Sequence, residues 1–289
     1  MTDTKVLVTI DAEVGETARF TDNGFENFVQ GDVDGNSFGV PKICEVLEQY
    51  GASGEFFVDV YEADYYKEAK YRELCQRLVE TGHGVQLHTH PGFQYDRGRR
   101  NMYEYSLAEQ REILDDGIEY IQRWIDQTPV AHRAGMYGAN NTTLTALSDT
   151  EISIDSSYFH REGNCRLSVE TINDPVWTNG IYEVPVTSGQ RFVRVWGIPV
   201  PKRRAIKLDV NWLSSDKMTA YLSKLTGTIP YLVLFLHSSS FVTRTDDGCS
   251  VSGVNKEAIE SFRTALEFIE QNDIEVVTFH SIQKEIQRT

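Results

Sequence analysis

Short runs of apolar residues alternate along the chain with longer segments in which apolar positions recur every three or four residues. The short runs predict buried strands, and the longer spacing predicts helices that lie with one face on a sheet. The predicted strands cover residues 6–11, 54–60, 85–90, 130–133, 152–155, 231–236 and 274–279. The predicted helices cover residues 40–50, 69–80, 107–124, 216–225 and 256–271, with a further helix that begins at residue 142.

About seven strand–helix units in one unbroken stretch predict an α/β fold, a distorted or incomplete (β/α) barrel. Residues 160–210 interrupt this alternation of strands and helices. Within them, apolar and polar residues alternate at 181–186 and 191–196 as in exposed strands, which predicts a β-rich insertion. An open doubly wound sheet is the alternative, but no Gly-x-Gly-x-x-Gly follows the first strand and no Walker loop occurs. Since no repeat or linker divides the sequence, we expect one domain, residues 1–289.

The composition of the chain disfavours several classes of binding partner and of structural site. The 289 residues carry 28 Lys and Arg against 43 Asp and Glu, a formal net charge of −15, which disfavours nucleic acid. No apolar stretch is long enough to predict a membrane span, and no secretion-signal pattern is present, so a cytoplasmic location is expected. The 4 cysteines form no CxxC pair, which disfavours a disulfide framework or a thiolate zinc site. The sequence leaves the oligomeric state open.

Five polar residues stand where the predicted strands end. They are Asp11 after the first strand, His88 and His90 after the third, Arg133 after the fourth, and His237 after the strand 231–236. In β/α barrels the active site lies at the carboxyl ends of the strands, where residues distant in sequence are neighbours. We therefore expect these five side chains to converge.

The spacing of His88 and His90 predicts a metal site. Residues two apart on a strand point to the same side, so both imidazoles can face one point. Two imidazoles with the Asp11 carboxylate suit Zn²⁺ and leave a coordination position open for water. Mn²⁺, Co²⁺ and Ni²⁺ also fit such a ligand set. Purely structural hydrogen bonds of the two histidines are the alternative.

The other polar residues suggest roles in acid–base chemistry and substrate binding. Glu13, two residues after the predicted ligand Asp11, is expected to act as the general base, or else to be solvated in the following loop. Arg133 is always protonated, so it is expected to orient a carboxylate or hold a substrate oxygen, with an ordinary ion pair as the alternative. His237 is expected to protonate a leaving amine. Tyr137 and Asp155 are expected to line the substrate pocket.

Four segments resemble the polysaccharide deacetylase (NodB-homology) family. Residues 9–13 (TIDAE) are similar to its first motif and residues 82–91 (GHGVQLHTHP) to its second, which supplies two metal-binding histidines. Residues 133–138 (RAGMYG) are similar to its Arg-containing turn and residues 236–237 (LH) to its late histidine motif. The resemblance covers residues 5–160 and, more loosely, 228–285. It implies a single deacetylase-like catalytic domain that hydrolyses N-acyl groups on amino sugars with a divalent metal.

Two departures distinguish this sequence from the family pattern. An Asp-Ala-Glu replaces the usual adjacent Asp pair, and the two histidines are two residues apart instead of four. The division of roles between Asp11 and Glu13 is therefore open. The expected activity is removal of an N-acetyl or N-formyl group from an amino-sugar or oligosaccharide substrate, in surface polysaccharide biosynthesis or modification. The alternatives are hydrolysis of a non-sugar C–N bond and a catalytically silent carbohydrate-binding barrel.

Overall fold

The structure is a computed structural model that describes residues 2–189, 192–195, 198–201 and 205–288, with the backbone alone at 192–195 and 198–201. Within these residues the strands are β1 (Lys5–Ala12), β2 (Asp32–Val33), β3 (Asn36–Ser37), β4 (Glu55–Asp59), β5 (Gly84–Thr89), β6 (Ala131–Ala134), β7 (Ile154–Asp155), β8 (Val176–Thr178), β9 (Ile181–Glu183), β10 (Ser188–Gly189), β11 (Phe192–Val195), β12 (Ile198–Pro201), β13 (Ile206–Lys207), β14 (Tyr231–His237), β15 (Val242–Arg244) and β16 (Val251–Val254). The α-helices are α1 (Val40–Gln49), α2 (Ala63–Tyr66), α3 (Glu68–Glu80), α4 (Leu107–Ile125), α5 (Asn141–Leu147), α6 (Ser215–Leu225), α7 (Lys256–Gln271) and α8 (Phe279–Ile286).

Eight strands form one curled sheet in the order β14-β1-β4-β5-β6-β7-β9-β8. Neighbouring strands are parallel throughout, except that β8 runs antiparallel to β9. The carboxyl ends of the seven parallel strands therefore share one rim. The register pairs Asp11 with His237 across β1 and β14, and pairs His88 with both Asp59 and Arg133 across β4, β5 and β6.

Chain segments between the two edges of the sheet nearly close the barrel. After β9, the Thr187 carbonyl accepts a hydrogen bond from the Leu208 amide at 3.0 Å. The Leu208 carbonyl in turn accepts from the Phe235 amide of β14 at 2.9 Å. The stretch around β13 thus lies beside β14 and brings its own side chains to the same rim.

Apolar side chains fill the lower part of the barrel interior. Leu7, Phe57 and Val233 point inward and pack on α8, where the Phe57 and Phe279 ring centroids are 5.4 Å apart. The other faces of the strands pack on the surrounding helices in a larger core that includes Val8 and Leu87. The amino-terminal end of the barrel is plugged by α8, and the polar pair there is buried: Gln86 Nε2 donates to Glu55 Oε2 at 2.7 Å.

The barrel with seven parallel strands confirms the predicted fold class. Two local predictions were wrong. Residues 274–279 contribute only one bridge, between Val276 and Val6, and then begin α8, because Thr278 caps a helix at that point. The segment 181–186 is not exposed: Ile181 and Glu183 of β9 are buried in the main sheet, with β8 outside them. No helix within the described residues is long and apolar enough to cross a membrane.

Candidate metal centre and cleft

Three ligand atoms meet at the inner side of the rim, from Glu13, His88 and His90. They lie within 4.8 Å of one another, and all three side chains are largely buried. Glu13 Oε2 is 2.6 Å from His90 Nε2 and 3.3 Å from His88 Nε2. We call these three residues the inner cluster.

The first histidine is oriented through its other ring nitrogen. His88 Nδ1 donates to the carbonyl oxygen of Arg133 on the next strand at 2.8 Å. With its proton on Nδ1, a neutral ring presents the lone pair of Nε2 to the inner cluster. A backbone carbonyl behind a histidine is a common way to hold a metal ligand in place.

The second histidine lies between two carboxylates. His90 Nε2 faces Glu13, and Nδ1 lies 3.4 Å from Glu16 Oε1 in the loop after β1. Both ring nitrogens and Glu13 Oε2 are buried without a geometrically sound hydrogen bond. Buried polar atoms are rarely left this way, and a divalent cation bound by His90 Nε2 and Glu13 Oε2 would satisfy both of these atoms and leave His90 Nδ1, with its proton, facing Glu16. The donor set of one carboxylate and two imidazoles also fits such an ion.

The electrostatics of the cluster reflect this pairing. Burial alone would raise the pKa of Glu13, but the facing His90 and His88 rings hold it well below its usual value. Burial would likewise lower the pKa of His90, yet Glu13 and then Glu16 raise it well above the ordinary range. The protonated form of His90 is therefore favoured, and a cation bound at Nε2 would displace that proton.

Asp11 is placed beside the cluster, in contact with Arg133. Its Oδ1 accepts from Arg133 Nη1 at 2.7 Å, while Oδ2 is 3.9 Å from His88 Nε2. Burial raises the pKa of Asp11, but the guanidinium and His88 more than offset this and lower it. Asp11, predicted as a metal ligand, is thus held as a carboxylate by Arg133, while Glu13, predicted as the base, faces both imidazoles.

Arg133 is fully buried and rigidly held. Besides Asp11 it donates to Thr9 Oγ1, and its Nε and Nη2 donate to the carbonyl and hydroxyl oxygens of Ser156 at 3.0 Å. Its guanidinium carbon lies 4.1 Å from the centroid of the Phe57 ring. With its donors directed in this way, Arg133 fixes the position of Asp11.

A cavity of about 430 Å³ opens beside Glu13 and His237. The His237 side chain is 38% exposed, and its Nε2 is 3.7 Å from Glu13 Oε1. Partial burial, and after it the Lys207 ammonium, lower the pKa of His237. The same cavity is bordered by Asp209 and by Trp212. A small molecule in this cavity would contact His237 and Glu13 of the inner cluster.

A larger groove of about 710 Å³ lies at the opposite end of the strands. It is bordered by residues that precede β4 and β5, such as Ser53 and His83, and by Cys44 of α1. Burial raises the pKa of the Cys44 thiol to about 12, so this cysteine is not a reactive nucleophile. The smaller cavity at the carboxyl-terminal rim is the one that borders the strand-end residues.

The two predicted substrate-binding residues lie elsewhere. The Tyr137 hydroxyl accepts a hydrogen bond from Lys207 Nζ at 2.8 Å, and Tyr137 does not border the 430 Å³ cavity. Asp155 lies on the opposite, helix-covered face of the sheet and is fully buried. Neither position contributes to the wall of the cavity.

Asp155 belongs to a second polar cluster, which we call the outer network, consisting of Thr89, His132 and Asp155. Thr89 Oγ1 is 3.0 Å from His132 Nε2, and His132 Nδ1 is 2.7 Å from Asp155 Oδ1. His132 faces away from Arg133, as expected for the adjacent residue of a strand. All three residues are at most 1% exposed, so no substrate reaches this hydroxyl–imidazole–carboxylate chain.

Sequence reasoning missed four residues of the rim: Glu16, Asp59, Lys207 and Asp209. Asp59 ends β4 and is completely buried, with Oδ2 lacking a hydrogen-bond donor; burial raises its pKa to about 7. The rule that selected His88 would have found Asp59. Lys207 Nζ is 3.0 Å from Asp209 Oδ2, but no regular pattern around residues 205–210 indicates that they close a barrel.

The chain is similar to known proteins in part of its sequence and in its fold. The family model described as polysaccharide deacetylase matches residues 32–154. No curated protein matches the chain in sequence. A crystal structure of a putative polysaccharide deacetylase from Mycobacterium smegmatis has a TM-score of 0.65 at 18% identity, covering 99% of this chain and 91% of that one.

Two further solved structures have the same fold. A family 4 carbohydrate esterase from Streptomyces lividans, in complex with acetate, has a TM-score of 0.51 at 12% identity and covers 96% of this chain and 94% of its own. A peptidoglycan N-acetylglucosamine deacetylase has a TM-score of 0.51 at 17% identity, covering 96% and 86%. At such identities these structures establish the fold alone. The family match over residues 32–154 and the shared fold together confirm the resemblance to the polysaccharide deacetylase family.

Proposed function

We propose that this protein is a metal-dependent hydrolase that removes an N-acetyl or N-formyl group from an amino-sugar substrate. The family match supports a carbohydrate deacetylase in general, and the proposal adds the metal and the amide. The observation that carries it is the inner cluster, where buried ligand atoms of Glu13 and His90 lack a geometrically sound hydrogen bond and Glu13 borders a cavity. A cytoplasmic, nucleotide- or lipid-linked amino sugar in surface polysaccharide assembly remains our prediction for the substrate.

Glu13, His88 and His90 would hold the ion. When bound, a divalent cation polarises the amide carbonyl and makes water a better nucleophile near neutral pH. Zn²⁺ fits this ligand set, and Mn²⁺, Co²⁺ and Ni²⁺ fit as well. The anionic form of Glu13, favoured by both imidazoles, is the form that a cation binds.

The roles that the sequence suggested for the two acidic residues are best exchanged. Glu13 faces both histidines at 2.6 and 3.3 Å, which suits a ligand. Asp11 has one oxygen fixed by Arg133 at 2.7 Å, and its second oxygen is directed toward His88. We therefore assign Asp11 as the general base that takes a proton from the attacking water, with Arg133 orienting it.

His237 is assigned as the general acid that protonates the leaving nitrogen. Its ring opens to the cavity and lies 3.7 Å from Glu13, so a scissile amide at the inner cluster is within its reach. A lowered pKa makes the protonated imidazole a stronger acid. Because this form must be present, the rate should fall as the pH rises through the pKa of His237.

The two alternative functions, a silent carbohydrate-binding barrel and a hydrolase of non-sugar amides, lead to different experimental results. A silent carbohydrate-binding barrel needs no metal, and a hydrolase of non-sugar amides needs no amino sugar. The test is a purified protein stripped with a chelator, reloaded with Zn²⁺ or Co²⁺, and assayed for release of acetate or formate from N-acyl hexosamines and from simple amides. We expect release from the amino sugars that requires the ion. Release from the simple amides alone would favour the non-sugar hydrolase, and absence of release with no bound ion would favour the silent barrel.

A further inference from the structure

We propose that Lys207 is a positioning residue that locks the turn of residues 133–138 against the metal-binding histidines by its hydrogen bond to Tyr137. This inference rests on the proposed metal site. Neither residue borders the cavity, so the role differs from substrate binding. These contacts connect the segment that closes the barrel, which contains Lys207, with the histidines of the inner cluster.

The turn contacts both histidines. At its start, the Arg133 carbonyl accepts the Nδ1 proton of His88 at 2.8 Å. Two residues later, a Cβ on Gly135 would lie 2.4 Å from His90 Nε2. The backbone here therefore lies directly on the His90 ring, and only glycine permits this approach. A small displacement of the turn would move both imidazoles.

The turn is also conformationally strained. Met136 has φ 51° and Tyr137 has φ 58°, so two successive residues with side chains occupy the left-handed region. Non-glycine residues seldom adopt this conformation, and it persists where surrounding contacts enforce it. Something must therefore hold the far end of the turn in place.

Lys207 provides one such contact, at Tyr137, while the Met136 carbonyl accepts a hydrogen bond from Asn164 Nδ2 at 2.9 Å. Lys207 Nζ donates to the Tyr137 hydroxyl at 2.8 Å and lies 3.0 Å from Asp209 Oδ2. The ammonium also sits 3.2 Å from the centroid of the Phe235 ring, and the residue is 3% exposed. The cation is thus fixed on three sides by groups of the barrel wall. The Tyr137 ring packs further on Phe159, with centroids 5.3 Å apart.

The arrangement joins barrel closure to metal geometry. Lys207 belongs to β13, and the next residue, Leu208, links Thr187 to Phe235 across the gap between the sheet edges. When this segment is in place, its lysine restrains the turn, and the turn restrains His88 and His90. Residues that orient metal ligands affect metal affinity when they are changed.

The test uses Co²⁺ as the probe and a variant that lacks only the Tyr137 hydroxyl oxygen. Tyr137→Phe keeps the ring and its packing but deletes the acceptor of the Lys207 hydrogen bond. We expect Co²⁺ to bind about tenfold more weakly, with a changed d–d absorption spectrum. Tyr231→Phe is the matched control, because its hydroxyl contacts Glu285 at the other end of the barrel, and it should bind Co²⁺ as the wild type does.

A double-mutant cycle identifies the partner. Lys207→Met keeps the hydrocarbon chain against Phe235 but removes the donor, and Tyr137→Phe should have no added effect on Co²⁺ affinity in that background. A wild-type spectrum and affinity in Tyr137→Phe would overturn the inference and leave the proposed function intact. Failure of the wild-type protein to bind Co²⁺ would overturn the proposed metal chemistry, and this inference with it.

Discussion

The inner cluster and the outer network share strand β5 and contain similar residues, yet they differ in two respects. Both contain an imidazole with a carboxylate within 2.7 Å. In the inner cluster His90 Nε2 and Glu13 Oε2 lack sound hydrogen bonds and a cavity opens beside them. In the outer network the His132 ring is paired at both nitrogens and is sealed from solvent. Unpaired ligand atoms with access therefore indicate function better than residue type does.

The largest expected difference between the two regions concerns metal binding. Changing both His88 and His90 to Ala removes two of the three proposed ligands and should abolish bound metal, with the circular dichroism spectrum largely retained. Metal analysis after dialysis measures this. His280→Ala, in the helix that plugs the other end of the barrel, is the control. Stoichiometric metal in the double variant would mean that the ion binds elsewhere.

Arg133→Lys should separate orientation from charge. Lysine keeps the charge but cannot reproduce the planar set of donors to Asp11 and Ser156. A misplaced catalytic group can cost about 10²-fold, so we expect turnover to fall by that order with metal content unchanged. The exposed Arg111 pairs with Asp149, and Arg111→Lys should be neutral. Wild-type turnover in Arg133→Lys would reduce Arg133 to a structural ion pair.

The pH dependence of metal affinity should distinguish the inner cluster as well. The raised pKa of His90 means that the metal-free site holds a proton there at neutral pH. Displacing one proton per ion makes affinity rise with pH by about tenfold per unit until the His90 pKa is passed. Zn²⁺ titrations between about pH 6 and pH 8 would measure the slope. A flat profile would show that His90 binds the ion without releasing a proton.

The smallest effect on metal is expected from the outer network. Asp155→Asn weakens the hydrogen bonds to His132 and Ser157 and should lower the free energy of unfolding by about 2 kcal/mol. Metal content and affinity should stay as in the wild type. Asp149→Asn, in an exposed ion pair, should change stability by less than about 0.5 kcal/mol. Loss of metal in Asp155→Asn would erase the distinction between the two regions.

Much of the fold could be predicted because periodicity reports burial directly. The buried runs at 6–11 and 231–236 and the helices at 107–124 and 256–271 lie within one or two residues of the observed elements. The strand prediction for residues 274–279 was wrong because an apolar run that short fits a strand as well as the start of a helix. Segment 205–210 gave no signal, since its pairing depends on strands far away in sequence.

The site was predictable to the extent that strand ends determine it. That rule brought Asp11, His88, His90, Arg133 and His237 to one rim, and the two-residue spacing after Asp11 added Glu13. It could not divide roles between Asp11 and Glu13, because the deciding contacts come from β5 and β6. The same rule selected Asp155, which ends a strand but whose side chain lies on the opposite, helix-covered face of the sheet. The face of the sheet to which a side chain points follows from the strand register. Register depends on neighbouring strands, which the local sequence does not specify.

The most direct test compares Glu13→Gln with Asp11→Asn in metal content and turnover. Each change keeps the shape of the side chain and removes its charge. Glu13→Gln should lose the ion, because an amide replaces the anionic ligand between two imidazoles. Asp11→Asn should keep the ion and lose about 10²–10⁴-fold in turnover, since a positioned base is removed. The reverse result, with metal lost in Asp11→Asn and retained in Glu13→Gln, would contradict the exchange of roles and the metal centre described above.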